Sequence, residues 1–443
     1  MKVIVIGGVA AGMSAAAKLN RIDNTVEIVV YEKGSYLSYG ACGLPYFVSN
    51  VNDDYKRMII RDKEEFEAAG IKCNLKHEVL KVDPQDNAVL IKDIDNGNIF
   101  IDHYDKLMIA TGAHSWIPPL KGVDLECVYL LKSLEDGLKL KESVIKDEIK
   151  NVVIVGGGYI GIELAEAMAE LNKNVTVVEL ADQILLPFDE EISSIAKKEL
   201  ENHKVNLRLG EKLLELKGSE KVSEIITSKG SYQADLVILA LGVIPSTDFI
   251  KNTGITLAKN GAIIIDREMR TNVENIYAAG DCAEVYHFGK QENAYIPLGT
   301  TANKCGRIAG ENIAGKHIKF VGALGSAAIK IFDYELARTG LSELEAKKLA
   351  LDYDSVFIES YDHPSYYPDP TPIWIKIIYE KTTKKILGAQ GAGKKGVVLR
   401  IDVFATAIHN LMTTDELGMV DLCYAPPYAG VWDAVHIACN AVK

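Results

Sequence analysis

Short apolar runs alternate with glycine turns and helical stretches along the first two thirds of the chain. Residues 2–6 form the first apolar run, and a glycine turn follows at residues 7–12. Residues 14–19 then read as a helix, before a second apolar run at residues 26–32. Apolar runs that alternate with helices are typical of parallel strands covered by helices. The pattern therefore predicts a βαβ unit at the N-terminus and an α/β fold around it.

The turn after the first run has glycine at two of the three positions of the G-x-G-x-x-G pattern. Gly7 and Gly12 hold the outer positions, whereas Val9 replaces the middle glycine. Such a turn places a pyrophosphate on the N-terminus of the next helix, and an acid ending the second strand, here Glu32, accepts from ribose hydroxyls. Taken alone, the turn also fits an ordinary tight strand–helix connection.

A second unit of the same kind starts at residue 151. Residues 151–155 read as a strand, residues 162–171 read as a helix, and residues 175–179 read as a strand that ends in an acid. All three glycines are present in the strand–turn–helix context that the motif requires, so this unit predicts a dinucleotide site. Its expected contacts are Gly156, Gly158, Tyr159, Ile160, Gly161 and Glu179.

The acid of the second unit also indicates which nucleotide binds there. A carboxylate at Glu179 accepts from the adenosine ribose and repels a 2′-phosphate. Residues 180–183 contain no arginine that could receive that phosphate. We therefore expect NADH to be preferred, with NADPH remaining possible.

Two dinucleotide units in one chain imply two dinucleotides, and further segments suggest what they are. The apolar strand at 106–113 runs into an Ala110-Thr111-Gly112 turn, and the segment 271–281 ends in Gly280-Asp281. These segments resemble the FAD-contacting parts of the flavin–nicotinamide disulfide reductase superfamily. The resemblance implies FAD at the first unit and the nicotinamide nucleotide at the second, with Asp281 on the ribitol or pyrophosphate. The FAD contacts it implies are Gly7, Gly8, Ala10, Ala11, Gly12, Glu32, Ala110, Thr111, Gly112, Gly280 and Asp281.

The same resemblance implies three domains. A split FAD domain would comprise residues 1–112 and 245–320, and an NAD(P)H domain would comprise residues 113–244. Residues 321–443 would form an α+β dimerisation domain, so that the fold class is α/β with two Rossmann-like domains and this third one. Within it the apolar pattern predicts strands and helices at 354–361, 372–379, 386–390, 402–410 and 414–418.

A cysteine follows the first unit at the place where this superfamily carries its redox-active thiol. In glutathione-reductase-type enzymes a second cysteine stands five positions away, but the residue five past Cys42 is Phe47. A single thiol must cycle through a mixed disulfide, a sulfenic acid or a persulfide. Because Cys42 stands at the start of an expected helix, we expect a lowered thiol pKa. The other six cysteines are expected to be structural or incidental.

The segment from Ser38 to Pro45 is similar to the single-cysteine branch of this superfamily. That branch contains coenzyme A-disulfide reductases, NADH oxidases, NADH peroxidases and persulfide reductases. Oxidases and peroxidases typically carry a histidine in the first glycine turn, where this chain has Ala10. The resemblance therefore favours reduction of CoA disulfide by NAD(P)H. A persulfide or polysulfide reductase and an NADH oxidase stay open as alternatives, and a non-enzymatic redox sensor is a more remote one.

Two tyrosine-bearing loops in the C-terminal third resemble loops of coenzyme A-disulfide reductases. They lie at 363–368 and 423–428, and the resemblance implies that one tyrosine of each reaches across a homodimer to the thiol. We assign this role, protonation of the departing CoA thiolate, to Tyr366 and Tyr424. Tyr367 and Tyr428 are the alternatives, and plain packing of tyrosines at an interface also remains open.

CoA as a substrate or bound ligand needs partners for its phosphates. Positions 14, 18 and 21 share one face of the first helix, and positions 303 and 307 lie on a predicted helix at 300–312. Ordinary solvated side chains remain the other interpretation of this set. The expected substrate contacts are Ser14, Lys18, Arg21, Ser38, Asn303, Arg307 and Trp432.

Composition narrows the remaining possibilities. The 443 residues carry a formal net charge of −12, which disfavours binding to nucleic acids or anionic membranes. No apolar run reaches the length of a membrane-spanning helix. The seven cysteines form no CxxC pair, and residues 2–6 read as a buried strand, not as a secretory leader. We expect a cytoplasmic enzyme with small thiol or disulfide substrates and no metal site.

Overall fold

A computed structural model describes residues 1–443. The first elements are β1 (Lys2–Ile6), α1 (Ala10–Ile22), β2 (Glu27–Tyr31), α2 (Leu44–Val48), α3 (Lys63–Ala68), β3 (Ile71–Asn74), β4 (His77–Asp83), β5 (Ala88–Asp93), β6 (Ile99–His103), β7 (Lys106–Ile109) and β8 (Ala113–Ser115). The next are β9 (Val128–Tyr129), α4 (Leu134–Val144), β10 (Asn151–Val155), α5 (Tyr159–Glu170), β11 (Asn174–Val178), α6 (Glu190–Asn202), β12 (Asn206–Arg208), β13 (Leu213–Gly218), β14 (Val222–Thr227), β15 (Ser231–Gln233), β16 (Leu236–Leu239) and β17 (Val243–Pro245).

The remaining elements are β18 (Ile276–Ala278), β19 (Val285–His287), β20 (Glu292–Ala294), α7 (Gly299–Ile313), β21 (Ala327–Ile331), β22 (Tyr334–Gly340), α8 (Glu343–Lys348), β23 (Tyr353–Tyr361), β24 (Pro372–Glu380), β25 (Ile386–Gly393), α9 (Val397–His409), α10 (Thr414–Leu417) and α11 (Ala434–Asn440). Short 3₁₀ helices lie at Ala41–Gly43, Tyr55–Met58 and Asp248–Ile250. No helix of the chain combines the length and the apolar character needed to cross a membrane.

Two parallel five-stranded sheets hold the two glycine turns. The first has the order β18-β7-β1-β2-β3 and the second has the order β12-β11-β10-β16-β9. Strand β18 pairs with β7 although the whole second sheet lies between them in the sequence, so the chain returns to its first sheet. That return is what a split first domain requires, while the predicted domain boundaries stay predictions. The α/β class with two Rossmann-like units is confirmed.

Both helices that follow the glycine turns begin earlier than the sequence pattern predicts. Helix α1 begins at Ala10 and helix α5 begins at Tyr159, whereas residues 14 and 162 were expected to start them. The last residues of each turn already have helical geometry. The apolar pattern does not indicate these earlier helix starts, because glycines and small residues fill the turns. Helix α9 likewise begins five positions before the predicted residue 402, at Val397.

The C-terminal region is an antiparallel sheet with helices on it. Its strand order is β21-β22-β25-β24-β23. Helix α9 packs on β22 and β25. Helix α6, which belongs to the region built around the second parallel sheet (the second region), contacts the same two strands. Strand β24 lies between β25 and β23 and is largely buried, with Ile373, Ile375 and Ile377 inaccessible to solvent. This α+β architecture confirms the predicted class of the third domain.

Buried charges hold the second region against the third. The ammonium of Lys376 on β24, whose side chain is 1% exposed, lies 2.8 Å from Glu191 and 3.5 Å from Asp189, and it also pairs with Glu343. A buried lysine of this kind is tolerated only when carboxylates surround it. Because Asp189 and Glu191 flank the start of α6, the cluster ties the start of that helix to strand β24.

Candidate active site

Two positions of the first glycine turn are packed too closely for any side chain. Gly7 has φ +102°, and a Cβ atom placed there would lie 2.2 Å from the carbonyl oxygen of Ala110. A Cβ atom at Gly12 would lie 1.9 Å from the carbonyl oxygen of Gly7. These contacts bring the N-terminus of α1, which no side chain caps, against the end of β1. The turn therefore leaves backbone N–H groups to meet an anionic group such as a pyrophosphate.

The second glycine turn repeats this packing and adds an open position. Gly156 has φ +115°, and Cβ atoms at Gly156 and Gly161 would lie 2.2 Å from the Ala240 oxygen and 2.0 Å from the Gly156 oxygen. A Cβ atom at Gly158, by contrast, would meet nothing within 4 Å. Gly158 is the N-cap residue of α5 and has no side-chain cap. The residues present thus fit a dinucleotide, whose pyrophosphate can approach the backbone at Gly158.

This difference predicts opposite outcomes for two alanine variants. Gly158→Ala should fold normally, because φ is −79° there and the methyl group enters open space. Its methyl group should nevertheless displace the nucleotide and raise the dissociation constant for NADH by roughly tenfold. Gly161→Ala should lower stability by about 1–3 kcal/mol or more, since its Cβ would press on backbone. Thermal unfolding and NADH titration check both; unchanged NADH binding by Gly158→Ala would contradict the assignment.

In each βαβ unit, the acid at the end of the second strand accepts a hydrogen bond from the glycine turn of the same unit. Glu32 accepts from the N–H groups of Gly8 and Gly34, at 2.6 Å in both cases. Burial raises the pKa of this carboxyl although both amide hydrogen bonds oppose the rise. The carboxylate still has acceptor capacity left for ribose hydroxyls.

Glu179 occupies the same place in the second unit. It accepts from the N–H of Gly157 at 2.6 Å and from the N–H of Ala181 at 2.8 Å. These bonds hold the negative charge at the end of β11, where the ribose of a bound nucleotide is expected. The expected discrimination against a 2′-phosphate stays a prediction.

Cys42 lies in the 3₁₀ helix that precedes α2, and the residue is exposed to solvent. A Cβ atom at Gly299, the first residue of α7, would lie 3.9 Å from its sulfur. Phe47, five positions along the chain, is buried in an apolar core. None of the seven cysteines is paired in a disulfide. The site therefore holds one accessible thiol that faces the N-terminus of a 15-residue helix.

The expectation of a lowered pKa at Cys42 is wrong. Helix α2 spans only five residues, which is too short to contribute a large dipole. Although the residue is exposed, the protein atoms around its sulfur partly desolvate the thiol and raise its pKa, and the carboxylate of Glu163 raises it further. The ammonium of Lys132 opposes these effects, and Asp281 adds a smaller rise.

Two charged residues near the thiol lay outside the sequence analysis. The ammonium of Lys132 donates to Asp281 at 2.8 Å, so the expected FAD-contacting acid is paired with a lysine from the loop after β9. Glu163 lies on α5, and burial together with Glu166 raises its pKa to about 7. Lys132 belongs to no sequence motif, so it could not be identified as a site residue from the sequence. Glu163 lies on a helix that packs against α2, and this contact between distant segments is not visible in the local sequence pattern.

The two tyrosine loops of the third region meet at the surface. The hydroxyl groups of Tyr366 and Tyr424 are hydrogen-bonded at 2.8 Å. Their side chains are 70% and 47% exposed in the single chain, so the pair is available to a second molecule. Tyr367 instead packs edge-on against His363, and Tyr428 is 76% exposed. The geometry brings the preferred tyrosines together, while their role stays a prediction.

The expected CoA-phosphate residues lie on a closely packed helix pair. Cβ atoms at Gly306 and Gly310 of α7 would lie 2.3 and 2.4 Å from backbone oxygens of α1, so the two helices touch directly. The ammonium of Lys18 pairs with Glu311 of α7 at 2.8 Å, which neutralises its charge.

The remaining members of this set differ in their surroundings. The guanidinium of Arg21 donates to the carbonyl oxygen of Ala17 at 3.1 Å. Arg21, Asn303, Arg307 and Trp432 are exposed, whereas Ser14 and Ser38 are half-buried. The charges that stay accessible to a phosphate are therefore those of the two arginines.

Comparisons with known proteins agree with this geometry. A family model described as pyridine nucleotide-disulphide oxidoreductase matches residues 1–304, and its dimerisation domain matches residues 326–435. The NAD(P)H coenzyme A polysulfide/persulfide reductase of Pyrococcus horikoshii is 38% identical over 443 residues, which are 100% of this chain and 98% of that protein. The coenzyme A disulfide reductase of Staphylococcus aureus is 30% identical over 440 residues, 98% of each chain.

A solved structure is similar over the whole chain. Reduced Bacillus anthracis CoADR-RHD superposes with a TM-score of 0.97 at 32% identity, covering 100% of this chain and 80% of that one. Further relatives are named NADH oxidase. The matches show an oxidoreductase of the NAD(P)H-dependent flavoprotein type with a dimerisation domain. The chain belongs to the pyridine nucleotide-disulphide oxidoreductase family.

Proposed function

We propose that this enzyme uses NADH to reduce CoA disulfide, or mixed disulfides of CoA, through the single thiol of Cys42. The observation that carries the proposal is the hydrogen-bonded pair Tyr366–Tyr424, exposed on the dimerisation domain. A phenol can protonate a departing thiolate, and a hydrogen-bonded partner phenol keeps that donor oriented. The unpaired and accessible Cys42 supplies the nucleophile.

The thiol exchange requires only residues of this chain and the substrate. The Cys42 thiolate attacks one sulfur of CoA disulfide, the S–S bond breaks, and a Cys42–CoA mixed disulfide forms. The second CoA leaves as a thiolate and takes a proton from a tyrosine. The mixed disulfide would be reduced, and the other CoA freed, by a pair of electrons that NADH would supply through FAD when both are bound. Lys132 and Asp281 would hold FAD, together with the first glycine turn.

A homodimer is part of this proposal. In it, Tyr366 and Tyr424 of one protomer would reach the partner subunit's Cys42, so that each site is complete only in the dimer. The matched dimerisation domain and the exposed tyrosine pair support this arrangement. Because all seven cysteines are free, we also infer a reducing compartment such as the cytoplasm.

A persulfide or polysulfide reductase is the second candidate. The same accessible thiol can attack a persulfide sulfur, and a relative that is 38% identical is named for that activity. Purified enzyme should be assayed with NADH against CoA disulfide, polysulfide, peroxide and oxygen. We expect the highest kcat/KM with CoA disulfide. A higher value with polysulfide would replace the first proposal with the second, and a higher value with oxygen would favour an NADH oxidase.

NADH should be the better reductant. The Glu179 carboxylate, held by two backbone N–H groups, should repel the 2′-phosphate of NADPH and lower its kcat/KM by about tenfold, equivalent to about 1.4 kcal/mol. Glu179→Gln keeps the side-chain shape and removes the charge, so the ratio of the two cofactors should move toward one. Steady-state kinetics with both nucleotides measures this. A wild-type enzyme that prefers NADPH would refute it.

A further inference from the structure

One arginine side chain bonds to both tyrosine loops of the third region. Arg400 stands on α9, and its side chain is 11% exposed. A single nitrogen of its guanidinium group, Nη2, donates to the carbonyl oxygen of Asp362 at 2.9 Å and to that of Tyr428 at 3.1 Å. Asp362 directly precedes the first tyrosine loop at 363–368, and Tyr428 ends the second one at 423–428. The guanidinium group therefore links the two loops whose tyrosines form the hydrogen-bonded pair.

The rest of the guanidinium group is held by acceptors of its own. Nε donates to the two carboxylate oxygens of Asp433 at 3.0 and 2.9 Å, and Nη2 lies 2.8 Å from the same carboxylate. Nη1 donates to the carbonyl oxygen of Gly396 at 3.2 Å, and a Cβ atom at Gly396 would lie 2.6 Å from it. Because Asp433 is buried, solvent screens this charge-assisted pair little. The planar group is therefore fixed and can act as a rigid link.

The first tyrosine loop is closed at its base around Asp362. The N–H of Asp362 donates to the carbonyl oxygen of Thr371 at 3.0 Å, and the N–H of Thr371 donates to the Asp362 carboxylate at 2.7 Å. His363 is buried, and its imidazole lies 3.0 Å from that carboxylate and 3.0 Å from the carbonyl oxygen of Pro368. A shift of the Asp362 carbonyl group would therefore move the base of the loop that carries Tyr366.

The second tyrosine loop ends in a short turn that Arg400 also holds. The N–H groups of Tyr428 and Ala429 both donate to the carbonyl oxygen of Ala425, at 2.9 and 3.1 Å. Ala429 is buried, and Tyr424 directly precedes Ala425. The bond from Arg400 to the Tyr428 carbonyl oxygen therefore fixes the turn next to Tyr424.

The two phenols have little else to hold them together. Their side chains are exposed, and neither hydroxyl group has a second hydrogen-bond partner in the chain. We propose that Arg400 is a positioning residue, which brings the hydroxyl groups of Tyr366 and Tyr424 together by binding both loops at once. Its effect on CoA-disulfide reduction rests on the proposed function, because Arg400 acts there only through the tyrosines. The link between the loops is a property of this chain alone.

Replacing Arg400 by lysine tests the proposal in the FAD-loaded enzyme. The ammonium keeps the charge beside Asp433, but its three donors radiate from one atom and cannot also reach both loop carbonyls. We expect kcat for CoA disulfide to fall by roughly tenfold or more with KM little changed, because a misplacement of about 1 Å can cost about 10²-fold. Bleaching of the flavin by NADH should keep its rate. Lys395→Met, an exposed lysine just before the same helix, is the control and should leave turnover unchanged.

The Tyr424→Phe background shows whether Arg400 acts through the tyrosine pair. Arg400→Lys should slow CoA release in the wild type but add little to Tyr424→Phe, since the group that it positions is already removed. Equal slowing in both backgrounds would indicate a general structural role and would overturn the proposal. If Arg400→Lys unfolds at a much lower temperature, Arg400→Met with Asp433→Asn removes both charges together, keeps an N-cap for α11 and should give the same result.

Fluorine NMR of enzyme labelled with fluorotyrosine reads the loop geometry without turnover. The Tyr366 resonance, identified by its loss in Tyr366→Phe, should shift on Tyr424→Phe while Arg400 is present, because the hydrogen bond at 2.8 Å is lost. In the Arg400→Lys enzyme we expect Tyr424→Phe to leave this resonance in place. A shift that persists without Arg400 would refute the positioning role. Full turnover in Tyr424→Phe, with a shift that depends on Arg400, would refute the proposed role of the tyrosines and support the link.

Discussion

Replacing Cys42 by serine should abolish turnover of CoA disulfide while FAD stays bound. Loss of a nucleophile lowers a rate by more than about 10³-fold, because a serine hydroxyl cannot exchange with a disulfide. Cys282 cannot take its place, since it is fully buried and burial raises its pKa to about 11. The segments expected to hold FAD lie elsewhere, so the flavin absorbance of the purified variant should equal that of the wild type.

Cys127→Ser is the matched control for this variant. Cys127 is a half-buried thiol in the second region, and its replacement should leave CoA disulfide turnover unchanged. Because burial and Glu163 raise the pKa of the Cys42 thiol, the wild-type exchange rate should rise with pH as the thiolate fraction grows. Retained turnover in Cys42→Ser would show that another group carries the reaction.

Replacing Tyr424 by phenylalanine should slow CoA disulfide turnover by about 10²-fold or more, the lower range for a positioned acid. The ring volume is kept, so folding and dimerisation should not change. The hydroxyl of Tyr366 loses its partner at 2.8 Å, so the pair should behave as a unit. The double variant Tyr366→Phe/Tyr424→Phe should then be little slower than Tyr424→Phe alone.

Rapid mixing separates the two halves of the reaction in this variant. Bleaching of the flavin absorbance by NADH should keep its wild-type rate, whereas release of CoA thiol should fall. Tyr428→Phe is the control, because Tyr428 lies in the same loop, is 76% exposed and is not bonded to Tyr366. Equal slowing of both steps would indicate that Tyr424 supports the flavin or the interface. If neither step were slowed, Tyr424 would have only a packing role.

The sequence by itself determined the two dinucleotide units, because their geometry is local. A close approach within six residues, such as that of Gly156 and Gly161, can be met only by glycine, so the motif is visible in the chain. The strand at Asn151–Val155 was predicted with its correct bounds, because its apolar run and the glycine turn that ends it are also local features of the chain. The absence of a second cysteine near Cys42 was likewise a property of the chain alone, and it limited the thiol chemistry to a few classes.

Tertiary structure decided everything that depends on which distant groups meet. Lys132 and Asp281 are 149 positions apart, and Tyr366 and Tyr424 are 58 apart, so no local pattern pairs them. The raised pKa of Cys42 arises from burial and from Glu163 on another helix, which outweigh a five-residue helix dipole. Charge pairing and desolvation act over a few ångströms in space, and the folded chain sets those distances.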